Sequence, residues 1–264
     1  MYQSLEEVGE LITTLDGDIH NKEDLLKDME DDDFYYGYLG KAALSSTSLK
    51  TLLKSPKTYL LSLTEELKES QALRDGKLFH WAILEPDVFE KVHIVDVASR
   101  NTKIYKAALA EHGEAYTTKE KTKAEILREI LNKNNQVQEY LKDAQYETPS
   151  VKMIEGLAFR GKADILKDDC IIDLKTTADI TKFRSSAYKF SYDMQAYLYL
   201  QMFPQAKTFK FIVIDKNTMD IGIYECSEEF LQYGKEKFER AIEIYKHFFI
   251  KDNSIEQHCI KEIL

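Results

Sequence analysis

Apolar residues recur at helical spacing through the first half of this chain and at strand spacing after residue 150. Leu49, Leu52 and Leu53, then Tyr59 and Leu60, follow the hydroxyl run Ser45-Ser46-Thr47-Ser48, which predicts helix caps ahead of a helical segment around Pro56. Leu73, Phe79, Ile83 and Leu84 predict a second helix over 72–84, ended by Pro86. Thr117 and Glu120 make a capping-box pair ahead of Ile126, Leu127, Ile130 and Leu131, so 117–131 reads as an amphipathic helix. Residues 151–166 and 170–174 then read as β segments joined through Lys167-Asp168-Asp169. A helix over 190–203 stops at Pro204, 208–214 and 220–225 form another strand pair, and Ser227 caps a final helix with Phe238, Ile242, Tyr245 and Phe249 inward.

Helices mixed with a modest number of strands predict an α/β fold, and only 4 Pro and 10 Gly argue against a many-turned sandwich. The cysteines, Cys170, Cys226 and Cys259, are odd in number and far apart, which fits reduced thiols and a cytoplasmic setting. The first residues lack the basic and apolar runs of a signal peptide, and no apolar stretch approaches membrane-spanning length.

The net charge of −10 would disfavour a nucleic-acid partner if it were spread evenly. It is local: residues 1–40 hold 12 acidic and 2 basic residues, so 41–264 is neutral overall. Residues 1–40 are therefore expected to form an acidic leader, with one or two short helices over 3–30 and an aromatic end at 34–38, and 41–264 to form the main domain.

The informative chemistry lies in Gly161-Lys162-Ala163-Asp164 and Asp173-Leu174-Lys175. Strand alternation puts Asp173 and Lys175 on one face, and a hairpin brings Asp164 to the same end of the sheet. Asp and Lys also decorate ordinary surface hairpins. Here Ile171, Ile172 and Leu174 make the strand read as buried, where ions are costly unless they bind something. Two carboxylates make a hard oxygen site suited to magnesium, and a lysine beside them can orient a water and offset developing negative charge. Lys152, Arg160, Lys162, Lys182, Arg184 and Lys189 surround the motif in sequence and would suit a phosphate-lined groove.

Ala163-Asp164 with Asp173-Leu174-Lys175 resembles the signature of the PD-(D/E)xK nuclease superfamily, with Ala163 in place of the motif's proline. Asp193 to Tyr199 resembles its Gln-x-x-x-Tyr helix, with Gln195 and Tyr199 on one face. Gly76-Lys77-Leu78-Phe79-His80 with Glu85-Pro86 and Phe89, the Leu44–Tyr59 region, and Arg100-Asn101-Thr102 with Tyr105-Lys106 are similar to the RecE-type exonucleases within it.

The resemblance implies a restriction-endonuclease-like core, a central mixed β-sheet flanked by helices. It implies Asp164, Asp173, His80 and the Leu174 carbonyl as ligands of Mg2+, or of Mn2+ in its place, with Lys175, Gln195 and Tyr199 completing the active site. It also implies 5′-to-3′ digestion of linear duplex DNA ends for recombination, a toroidal homo-oligomer and a RecT-like single-strand annealing partner. Whether Glu85 or Glu147 joins the site stays open. Two alternatives remain: a RecB-like nuclease of the CRISPR-adaptation kind without its iron–sulfur cluster, since only three cysteines are present, and a DNA-end-binding protein that has lost catalysis. The chain has no zincin, P-loop or dinucleotide-binding motif.

Overall fold

A five-stranded mixed sheet organises the computed structural model, which describes residues 9–64, 70–251 and 253–259. Its strands, in spatial order, are β1 (Gln145–Ile154), β2 (Leu157–Lys167), β3 (Cys170–Thr177), β4 (Thr208–Asp215) and β5 (Ile221–Glu225). The β3–β4 pair is parallel and the other pairs are antiparallel. The segment expected as one strand over 151–166 is instead a hairpin. Glu155 and Gly156 both take positive φ, 54° and 78°, the geometry of a tight hairpin turn that reverses the chain in two residues. The turn after β2 falls where expected, with Asp168 at φ 51°.

Both faces of the sheet are covered. Helices α1 (Ser46–Lys54), α2 (Gln71–Leu84), α3 (Thr118–Asn132), α4 (Tyr192–Met202) and α5 (Glu228–Tyr245) supply most of the cover. Phe159, Ile171, Phe209, Phe211 and Val213 pack beneath α1, α4 and α5, while Ile165, Ile172, Leu174, Ile212 and Ile214 pack against Phe79 of α2 and Leu127 and Leu131 of α3. The expected caps form: Ser45, Thr117 and Ser227 each accept a backbone N–H at the third residue on, and Glu120 closes the box at Thr117. No helix among the described residues is long and apolar enough to cross a membrane.

The acidic segment differs from the short helices expected of it. Its described part pairs Leu11–Thr13 with Ile19–Asn21 as a small hairpin, followed by the helix Lys22–Asp28. Gly17, at φ 93°, makes the turn. Its carboxylates stay in solvent, but Ile12, Leu25, Met29, Tyr35 and Leu39 share a core with Val151 of β1 and Ala158 of β2. The segment is thus fastened over the sheet edge next to β2.

The placement of α4 depends on one close approach. A Cβ built on Gly234 of α5 would lie 2.1 Å from the Asp193 carbonyl oxygen, so only glycine lets the two helices meet. Lys237, one turn on, locks the contact by donating to both carboxylate oxygens of the buried Asp193, at 2.9 and 2.7 Å. Gly234→Ala should therefore cost roughly 1–3 kcal/mol through overpacking, despite alanine's better helix propensity. Urea unfolding tests this, and a variant as stable as the parent would contradict the contact.

Candidate active site

The site opens where β2 leaves β3. Backbone pairing between them covers only Ile165 with Ile172, Leu166 with Ile171 and Lys167 with Cys170, although β3 continues to Thr177. Beyond that point the Asp164 side chain takes over: its Oδ2 accepts the Leu174 N–H at 2.8 Å, a donor left without a strand partner. On β1, opposite Asp164, Glu147 adopts φ 45°, a left-handed conformation uncommon for a non-glycine residue. Strained backbone of this kind gathers at functional sites.

Into this fork α2 sends His80. Its Nε2 donates to the Leu174 carbonyl at 2.8 Å, and its Nδ1 lies 3.5 Å from Asp164 Oδ2. In a neutral imidazole that tautomer leaves a lone pair on Nδ1 facing a carboxylate, an arrangement that calls for a cation between them. One ligand atom each from His80, Glu147 and Asp164 lies within 4.8 Å of the others, and no other such group of three occurs among the described residues. Burial first, then the charges of Asp164 and Glu85, push the Glu147 carboxyl up to about 8. Crowded carboxylates with too little positive charge fit a hard divalent ion.

Asp173, Lys175 and Gln195 form the other half. Asp173 is 3% exposed; its Oδ1 accepts the Gln195 amide of α4 at 2.6 Å, and Oδ2 forms an ion pair with the Lys175 ammonium. That Oδ2 is buried without a hydrogen bond of good geometry. Burial raises the Asp173 carboxyl against the pull of Lys175. Burial alone would lower the lysine, but Asp173 and then Asp164 hold it above the usual range. The ammonium stays charged, 4.9 Å from the ring centre of Tyr192.

The expected residues come together with different partners. Asp164 groups with His80 and Glu147, whereas Asp173 is engaged by Gln195 and Lys175. Tyr199 backs the site from within the core: a Cβ on Gly161 would meet its ring at 3.2 Å. Burial above all pushes its phenol well up, so it remains neutral. Glu85 sits half-buried after α2, its carboxyl raised by burial and then by Asp32.

Much of the basic groove expected around the motif is already committed. Lys162 pairs with Asp32 at 3.0 Å, and the Arg160 guanidinium lies 4.2 Å from the Tyr35 ring centre. Lys152 donates to the Gln201 carbonyl and Lys182 pairs with Asp179, leaving Arg184 and Lys189 exposed. Ser45 and Ser48 act as a cap, with the Ser48 N–H donating to Ser45 Oγ at 3.2 Å.

A crystal structure of a candidate exonuclease from Eubacterium rectale superposes with a TM-score of 0.64 at 15% identity, covering 89% of this chain and 95% of that one, which establishes a shared fold. A phage-related exonuclease from Haemophilus somnus 129PT aligns over 82% of this chain and 99% of that one at 17% identity, with a TM-score of 0.36. No curated protein matches by sequence. Residues 45–259 match the profile of a PDDEXK-like domain of unknown function (DUF3799), and they include every residue of the fork. The chain therefore belongs to that PDDEXK-like family.

Proposed function

We propose that this protein is a divalent-metal-dependent deoxyribonuclease that digests linear duplex DNA from its ends. The observation that carries this reading is the fork itself, where His80, Glu147 and Asp164 converge beside the Leu174 carbonyl, next to the Asp173–Lys175 pair. Asp164, with Glu147, His80 and the Leu174 carbonyl, would hold Mg2+, or Mn2+ in its place, and Asp173 would join once released from Lys175. The bound ion would supply charge neutralisation at a phosphodiester and acidification of a water.

The protein's own groups do the rest. Lys175, freed from Asp173, presents a donor to the attacking water or to the phosphate oxygens. Gln195 holds Asp173 in its rotamer, and Tyr199 packs behind β2 to keep Asp164 in place. Leu174 presents backbone groups because β2 has turned away. The complete Asp164, Asp173 and Lys175 set favours a working enzyme over a DNA-end-binding protein without catalysis.

By resemblance, the finer reading is 5′-to-3′ resection for recombination, by a toroidal homo-oligomer working in the cytoplasm with a RecT-like annealing protein. The test is digestion of linear duplexes labelled at either 5′ or 3′ end, with Mg2+ and with excess chelator. We expect metal-dependent loss of the 5′ label first and little attack on closed circles. Equal cutting of circles would replace the exonuclease reading with an endonuclease, and no cutting under either condition would remove the enzyme.

A further inference from the structure

The charges left over around the fork point away from β1 and β2. On that flank the acidic segment already neutralises Lys162, and Tyr35 covers Arg160. On the opposite flank, beyond Lys175, the balance differs. The Tyr192 ring, next to the Lys175 ammonium, lies 6.0 Å from that of Phe190, which is 41% exposed. The ammonium groups of Lys50 on α1 and Lys189 lie 5.3 and 5.9 Å from the Phe190 ring centre. Among the described residues, neither lysine has a carboxylate within ion-pairing distance.

The backbone holds Phe190 there. The helix Phe183–Lys189 ends with the Phe190 N–H donating to the Ser186 carbonyl at 2.8 Å. Ser191 then takes a left-handed conformation, φ 57° and ψ 39°, before α4 begins. This reversal leaves the Phe190 ring 41% exposed at the junction of two helices. Lys50 is also disfavoured as a cation, by partial burial and then by the charge of Lys175. An exposed ring between two lysines without carboxylate partners, linked through Tyr192 to Lys175, suits a ligand that carries both flat bases and phosphates.

We propose that Phe190, flanked by Lys50 and Lys189, is a platform for single-stranded DNA: a base stacks on the Phe190 ring as the two ammonium groups that now lie over it swing out to neighbouring phosphates. The platform lies on the Lys175 side of the fork and would receive a strand separated from its complement. This rests on the nuclease reading for its role in turnover, but not for binding. Stacking on an aromatic residue tolerates any base, so the platform selects strandedness rather than sequence.

The test is fluorescence anisotropy with a labelled oligothymidylate in chelator, across a range of salt, alongside digestion of linear duplex in Mg2+. Phe190→Ala should weaken oligonucleotide binding roughly 5- to 100-fold, and Phe190→Trp should retain it. Lys50→Gln should lower the slope of log affinity against log salt by about 0.7, the share of one single-strand phosphate. Lys182→Gln, at a lysine already paired with Asp179, should change neither. Wild-type protein that ignores the oligonucleotide, or Phe190→Ala that binds as wild type, overturns the platform whatever the nuclease assay shows. Phe190-dependent binding without cleavage of any duplex would keep the platform and remove the nuclease reading.

Discussion

Asp164→Asn should abolish cleavage while leaving the protein folded. The asparagine oxygen can still accept the Leu174 N–H that Asp164 Oδ2 receives at 2.8 Å, so the fork between β2 and β3 keeps its shape. What disappears is the negative charge facing His80 and Glu147, the centre of the proposed cation site. We expect a loss on the order of 10³-fold or more, the scale on which a single electrostatic stabiliser of developing charge is felt. The melting temperature should move by only a few degrees. Glu147, relieved of the neighbour whose charge follows burial in raising it, should also become easier to ionise. Rates on linear duplex and a thermal melt check the two halves of this expectation. A variant that keeps more than about a tenth of the parent rate would show that Asp164 is a structural acceptor only.

The second large effect concerns stability as much as rate. Lys175→Met removes the counter-charge of a carboxylate that is 3% exposed. Asp173, already raised by burial, must then take up a proton or stand as an unpaired charge, at a cost of up to about 3–5 kcal/mol. Adding Asp173→Asn should restore most of that stability, because an amide can keep the hydrogen bond from Gln195 without needing an ammonium. Activity should be lost in both variants, so stability and catalysis part company across the cycle. Urea unfolding of the two single variants and the double gives the coupling directly. Additive losses would mean that the pair is not an interacting unit.

Regular periodicity made much of this legible in the sequence. Alternation placed Asp173 and Lys175 on one face of β3 because it follows from a backbone repeat, whereas Gln195 was marked for the site by the resemblance to the Gln-x-x-x-Tyr helix, and its bond to Asp173 is visible only in the structure. Tyr199 shares that helix face, but it lies one turn further along, where α4 crosses over Gly161 and the ring becomes core. The irregular features were harder to read. Glu147 reaches the site through a positive φ and the departure of β2 from β3, neither of which any spacing encodes. The turn at Glu155-Gly156 is marked only by its glycine inside an otherwise continuous strand pattern. Contacts across long stretches of chain leave still less trace: Asp32 and Lys162 are 130 residues apart, and nothing near either marks the other.

Whether the fork holds a cation is decided by anomalous diffraction from crystals soaked in Mn2+. One strong peak is expected within coordination distance of Asp164 and of at least one of Glu147 and His80. A fork without a peak, while manganese occupies acidic groups elsewhere on the surface, would contradict a cation held there.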